Sequence, residues 1–145
     1  MHVSAFKGLQ GYLYLGSPYS KYETGIEGAF HDICVISADL IRLGVPVFSP
    51  IAHSHPIATA GKIDPLSHDI WLPVDEPLMR RADGMIIVGM KGWEASYGIQ
   101  KEIEFFEENR KPIFFMDQTF NVRSHNKIAS FLMDLHMKRA DDRAA

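Results

Sequence analysis

Short apolar runs that alternate with stretches of helical spacing predict an α/β fold. The expected architecture is a single-domain three-layer sandwich, with a flavodoxin/Rossmann-like parallel sheet of four to five strands and helices on both faces. Three observations carry that expectation. Met85-Ile86-Ile87-Val88 is continuously apolar, as a strand covered on both faces must be. Behind it Ile99, Ile103 and Phe106 recur at the spacing of one helix face. Between them Ser96 stands where a helix N-cap belongs, at the strand edge where open parallel sheets bind ligands.

The other elements follow in order. Gly11 to Gly16 reads as the first strand, and Ser17-Pro18-Tyr19-Ser20 as the loop after it. Glu23 to Leu43 has helical apolar spacing, with Gly44 as its stop. Val45 to Ser49 is a second strand, with Pro46 near its start where a missing N–H is tolerated. Pro50 to Ser67, rich in Ala, His, Pro and Ser, reads as a long irregular segment. Asp69 to Ala82 is helical in pattern but interrupted by Pro73 and Pro77. Either one kinked helix begins near Asp69, or a second start has Asp75 as its N-cap. A helix from Ser96 to about Asn109, a strand at Pro112 to Met116 and a helix from Ser124 to Lys138 complete the domain, residues 1–138. Residues 139–145 read as a frayed tail.

With 145 residues the chain can bury a core without staples. A formal charge of −3, with basic residues scattered, gives no footprint for a nucleic-acid polymer. The single cysteine, Cys34, falls in an apolar helical stretch and reads as a structural thiol in a reducing compartment. No leader is expected from residues 1–10, and no apolar run is long enough to cross a bilayer. A cytoplasmic protein without membrane contact is the expectation.

The carboxyl edge of the sheet gathers the polar residues. Ser17, Ser20, Ser96 and Gly98 fall at the ends of the first and third strands, with Tyr14 close by. Hydroxyls and free amides beside a helix N-terminus suit an anion such as phosphate. Gly98 lies four residues before Glu102 on one helix face, which clears space for a ligand above an acid. His53 and His55 are two apart, on opposite sides of an extended chain, and no third ligand has supporting spacing; no metal and no cofactor is expected.

Ser96-x-Gly98-x-x-x-Glu102-Ile103 resembles the Ser-x-Gly-x-x-x-Glu-Leu pattern of the nucleoside 2-deoxyribosyltransferase-like superfamily. Tyr14-Leu15-Gly16-Ser17 is similar to the end of that superfamily's first strand, and Asp75 stands where it keeps a second carboxylate. Ser17-Pro18-Tyr19-Ser20, Val47-Phe48-Ser49-Pro50, Ser54-His55-Pro56-Ile57, Trp71-x-Pro73-Val74-Asp75 and Gly92-Trp93 through Phe106 resemble a small uncharacterised bacterial branch of it, a domain of unknown function. The resemblance implies Glu102 as nucleophile, Asp75 as acid/base and Tyr14 as the hydroxyl that orients Glu102. It also implies a nucleoside or nucleoside 5′-monophosphate whose 5′ end is held by Ser17 and Ser96, and a homo-oligomer. Gly16, Pro18, Tyr19, Ser49 and Gly98 are further candidate binding residues, and Trp93 either stacks on a base or ribose or packs in the core or an interface. The reaction implied is cleavage or exchange of an N-glycosidic bond. The chain also departs from the superfamily. No arginine stands near Ser17 to grip a phosphate, Lys21 being the nearest substitute, and Tyr19, Trp93 and the Pro50–Ser67 segment have no counterpart in its characterised transferases. A non-catalytic nucleotide-binding or sensor module on the same fold is the alternative, since fold alone does not decide activity.

Overall fold

The computed structural model of the protein describes residues 1–144. The strands are Leu13–Gly16 (β1), Val47–Phe48 (β2), Gly84–Val88 (β3), Ile113–Met116 (β4) and Val122–Ser124 (β5). They form one sheet in the order β2-β1-β3-β4-β5, parallel except for the antiparallel β5. The helices are Gly25–Arg42 (α1), Pro50–Gly61 (α2), His68–Arg81 (α3), Tyr97–Glu108 (α4) and Lys127–Ala144 (α5). The expected flavodoxin-like sandwich is the observed fold. No helix among the described residues is long and apolar enough to cross a membrane.

Strand alternation divides the core into two layers. Leu13 and Leu15 of β1, with Ile86 and Val88 of β3, pack toward Ile33 and Leu40 of α1 and Ala129 of α5. Tyr14, Met85 and Ile87 point the other way, toward Met79 of α3 and Ile99 and Phe106 of α4. Strand order reverses at β1, whose neighbours β2 and β3 follow connections on opposite faces. A crevice opens there at the carboxyl edge.

Four segments differ from the expectation. Residues 50–61 form a helix, not an irregular segment. Its inward positions are Ile51, His55 and Ala58, so a histidine occupies a place where helical patterning would show an apolar residue. The ends are conventional: Ser49 Oγ accepts from the Ala52 N–H at 3.1 Å, Pro50 opens the first turn, and Lys62 ends the helix in a left-handed conformation at φ 55°. Helix α3 is continuous, so Asp75 is an interior residue and caps nothing. Asp69, Pro73 and Pro77 are four apart and all exposed. The carbonyls that the prolines leave unpaired therefore face solvent, and Glu76–Arg80 bridges the same turns at 2.6 Å.

After β4 the chain turns at Asp117, whose Oδ1 accepts from the N–H groups of Thr119 and Asn121 at 2.9 and 3.0 Å. This Asx-type turn returns the chain as β5, so Ser124 ends a strand and does not begin a helix. Helix α5 starts at Lys127 behind Asn126, which caps Ala129 at 3.0 Å, and runs to Ala144. The tail expected to fray from Arg139 is thus helical, apart from Ala145, which lies outside the described residues. Ser49→Ala is expected to lower stability by about 1 kcal/mol through loss of the α2 cap. Urea denaturation checks it, with a lower midpoint and an unchanged slope.

Candidate active site

A cavity of about 370 Å³ opens at the carboxyl end of β1, within the range of small-molecule sites. Its floor is Tyr14, Asp75, Met79 and Glu102, and its walls come from the β1–α1 loop and the first turns of α2, α3 and α4. Tyr14 is wholly buried, ringed by Phe48 and Phe106 at centroid distances of 6.1 and 5.7 Å. Glu102 rises from α4 to the end of β1. A Cβ added to Gly16 would lie 3.5 Å from Glu102 Oε1 and 2.3 Å from the Met85 methyl. Glycine there lets the helix carboxyl reach the strand.

Asp75 comes from α3, on the same helix face as Trp71 and Met79. Its Oδ1 is buried without a hydrogen-bond partner. Burial pushes Asp75 up to about 6. It pushes Glu102 up to about 8; the Tyr14 hydroxyl opposes this rise and the Asp75 charge adds to it. The Tyr14 hydroxyl makes no well-formed hydrogen bond, yet it lies near enough to stabilise charge on Glu102. Its own pKa is raised well above the usual value, by burial first and by the two carboxyls next. Three groups of raised pKa thus share one cavity floor, and near pH 7 the carboxyl pair leans toward a single proton, held by Glu102.

The walls are built largely from helix starts. Helices α2, α3 and α4 all present their N-terminal turns to the cavity, through Pro50-Ile51, Ser67-His68 and Ser96-Tyr97-Gly98. Ser96 Oγ accepts from the Ile99 N–H at 3.3 Å, which leaves its own proton for a ligand. Ser67 caps α3 without a side-chain bond, and Ser17, 5 % exposed, has an Oγ with no partner. A buried hydroxyl left unpaired at a cavity wall is a group waiting for a ligand atom.

Of the residues expected at a site, Tyr14, Ser17, Tyr19, Asp75, Ser96, Gly98 and Glu102 line this cavity together. Gly16 supports Glu102 from beneath. Pro18 is buried beside Ser17 outside the lining, and Ser49 is spent as the α2 cap. Trp93 lies away from the cavity, packed on Phe115 at 5.1 Å and beside His125 at 6.3 Å. Sequence reading passed over Ser54, Ser67, His68, Tyr97 and Lys101, which also line it. Lys101, not Lys21, is the cation at the lining, and its place beside Glu102 in the motif was the available signal. His53 rests against Phe48 at 5.7 Å, while His55 turns inward. Among the described residues no group of three His, Cys, Asp or Glu side chains could hold a metal ion.

Two predictions follow from this geometry. A Cβ on Gly98 would meet only Ser96 Oγ, at 4.0 Å. Gly98→Ala should therefore raise stability by roughly 0.5 kcal/mol while narrowing the cavity. Denaturation and ligand titration on the same sample should move in opposite directions. Both carboxyls are raised, so the fold favours their neutral forms. That contribution is complete below the ordinary carboxylate range and is lost as pH rises through about 6 for Asp75 and about 8 for Glu102. Glu102→Gln should match wild-type melting near pH 4 and exceed it by roughly 5 °C near pH 9, measured by thermal scans across pH.

No curated protein matches the chain. A family model described as a domain of unknown function (DUF1937) matches residues 11–118, which include every cavity residue named above, and the chain belongs to that family.

Proposed function

We propose that the protein cleaves the N-glycosidic bond of a (deoxy)nucleoside or its 5′-monophosphate, and exchanges the base where an acceptor base is present. The observation that carries this reading is the pairing of two half-buried carboxyls of raised pKa with one buried phenol on the floor of a cavity walled by helix N-termini. A pure binder of anions gains nothing from carboxyl groups there. A reaction that builds positive charge on a sugar does.

At rest the pair's one proton lies on Glu102, whose pKa is the higher; in the reactive form it has passed to Asp75, and Glu102 is ionised with Tyr14 beside it. The Glu102 carboxylate attacks the anomeric carbon. The carbon–nitrogen bond breaks, its electron pair stays on the base, and Asp75 gives the base its proton. Asp75 then takes a proton from water or an incoming base as that nucleophile displaces Glu102. The two displacements retain configuration. Ser17, Ser67, Ser96 and the three helix N-termini would hold the 5′-phosphate, with Lys101 as a point charge. Gly98 leaves room for the sugar.

The likeness of Tyr14, Asp75, Ser96, Gly98 and Glu102 to the nucleoside 2-deoxyribosyltransferase-like pattern supports the same chemistry. Self-association in a reducing, cytoplasmic setting belongs to the proposal too. Leu66, Leu72 and Tyr97 are exposed apolar residues at the cavity wall, and a second subunit over them would exclude water and favour transfer over hydrolysis.

The test is release of free base from ribo- and deoxynucleosides and their 5′-monophosphates, with and without an acceptor base. Glu102→Ala should abolish release, a fall of at least about a thousandfold. Binding with no release from any substrate would leave a nucleotide-binding or sensor module instead. The pH profile of kcat/KM should be bell-shaped. Activity falls below about 6 as the pair takes a second proton, and falls above about 8 as it loses the only one. A profile flat from pH 5 to 9 would contradict the shared-proton mechanism.

A further inference from the structure

The wall of the cavity opposite α4 contains a polar chain that the chemistry above does not use. His55 is 3 % exposed and stacks on Phe30 of α1 at 4.3 Å between ring centroids. Both its nitrogens are engaged. The Tyr19 hydroxyl lies 2.5 Å from Nδ1, and Glu27 Oε2 lies 3.1 Å from Nε2. Tyr19 belongs to the β1–α1 loop and lines the cavity, whereas Glu27 stands in the first turn of α1 with its side chain 77 % exposed. The chain therefore runs from the cavity, through a buried imidazole, to solvent.

Its hydrogen positions follow from the partners. A carboxylate only accepts, so Nε2 carries the hydrogen and donates to Glu27. In the neutral ring Nδ1 is then bare and accepts, so the Tyr19 O–H must donate to it. Having given its proton to Nδ1, the Tyr19 oxygen keeps only lone pairs to offer a ligand that reaches it. Burial, and next the charge of Glu27, raise the Tyr19 pKa, so the phenol keeps its hydrogen. Serine hydroxyls such as Ser17 and Ser54 can turn to donate or accept. Tyr19 cannot, because its polarity is set from behind.

We propose that Tyr19 is a specificity-determining group of the cavity, held by the positioning residues His55 and Glu27 as a hydrogen-bond acceptor only. It selects ligands that bring a hydroxyl or amino hydrogen to that point. The proposal rests on the nucleotide reading above, in which that donor is a sugar hydroxyl or an exocyclic amino group of the base. A ligand with an acceptor there would face lone pairs across the contact and lose affinity.

The test has a ligand-free arm and a binding arm, both on the full chain. Nitrogen NMR of histidine-labelled protein reads the His55 tautomer. The expected form is Nε2–H in wild type, giving way to a mixture in Glu27→Ala. An Nδ1–H form in wild type would overturn the proposal. Calorimetry then compares deoxynucleoside 5′-monophosphates with and without the 3′-hydroxyl, and with and without a base amino group, using inorganic phosphate as the control. Tyr19→Phe should weaken the donor-bearing ligand about tenfold, the worth of one hydrogen bond in a dry site. It should also erase the preference over the donor-free analogue and leave phosphate unchanged. The pair of analogues that loses its preference identifies the donor. Glu27→Ala, at an exposed position, should reduce the same preference even if Tyr19→Phe folds poorly. Equal loss for every ligand, phosphate included, would mean a purely structural tyrosine and would overturn the proposal. Phosphate binding without nucleotide binding in wild type would overturn the nucleotide reading, and this proposal with it.

Discussion

The parallel pairing of β1 with β3 is the constraint on which the site depends. Leu13 pairs with Gly84 and Gly16 with Ile87, with every residue of both strands buried. On its other side β3 is met closely by the start of β4, where Gly84 leaves the room: a Cβ there would lie 2.9 Å from Pro112. Once the two strands are side by side, connections that leave β1 and β3 on opposite faces must open a crevice between their carboxyl ends. Tyr14, the β1–α1 loop and the start of α4 are carried to that crevice by backbone pairing alone.

The site is built where the core is least able to solvate it. Tyr14 belongs to the same packed layer as Ile87, Ile99 and Phe106, and the face of α4 that buries Ile99 and Phe106 also brings Glu102 to the strand end. Hydrophobic packing therefore fixes the position of a carboxyl that packing alone would exclude. The cost is an ionised form destabilised by burial, which raises the Glu102 pKa. Asp75 extends this arrangement from the opposite helix. The prolines of α3 do not disturb it, because their unpaired carbonyls face water and the inward face of the helix stays regular.

The polar walls use helix ends in place of a basic cluster. Three N-terminal turns converge on one cavity, and each brings free amides and a partial positive charge that is fixed by the fold. A phosphate could then be held without a guanidinium fork.

The sequence by itself determined the layered architecture and the acid-bearing helix. A continuous apolar run, a cap at Ser96 and the spacing of Ile99, Ile103 and Phe106 are local signals, and local signals survive without tertiary context. Tyr14, Ser17, Asp75 and Glu102 could be named by motif. What tertiary structure decided was which groups share a space and in what protonation state. Helix α2 was hidden because His55 sits at a core-facing position, and a buried imidazole is legible only once Tyr19 and Glu27 are seen to satisfy both nitrogens. Trp93 could stack on a ligand or pack in the core on sequence alone, and tertiary structure turns its ring to Phe115 on β4. Strand β5 is short and depends on pairing with β4, so it carried almost no pattern of its own. Propensity and periodicity are properties of neighbours along the chain. Burial, and with it the pKa of Asp75 and Glu102, is a property of neighbours in space.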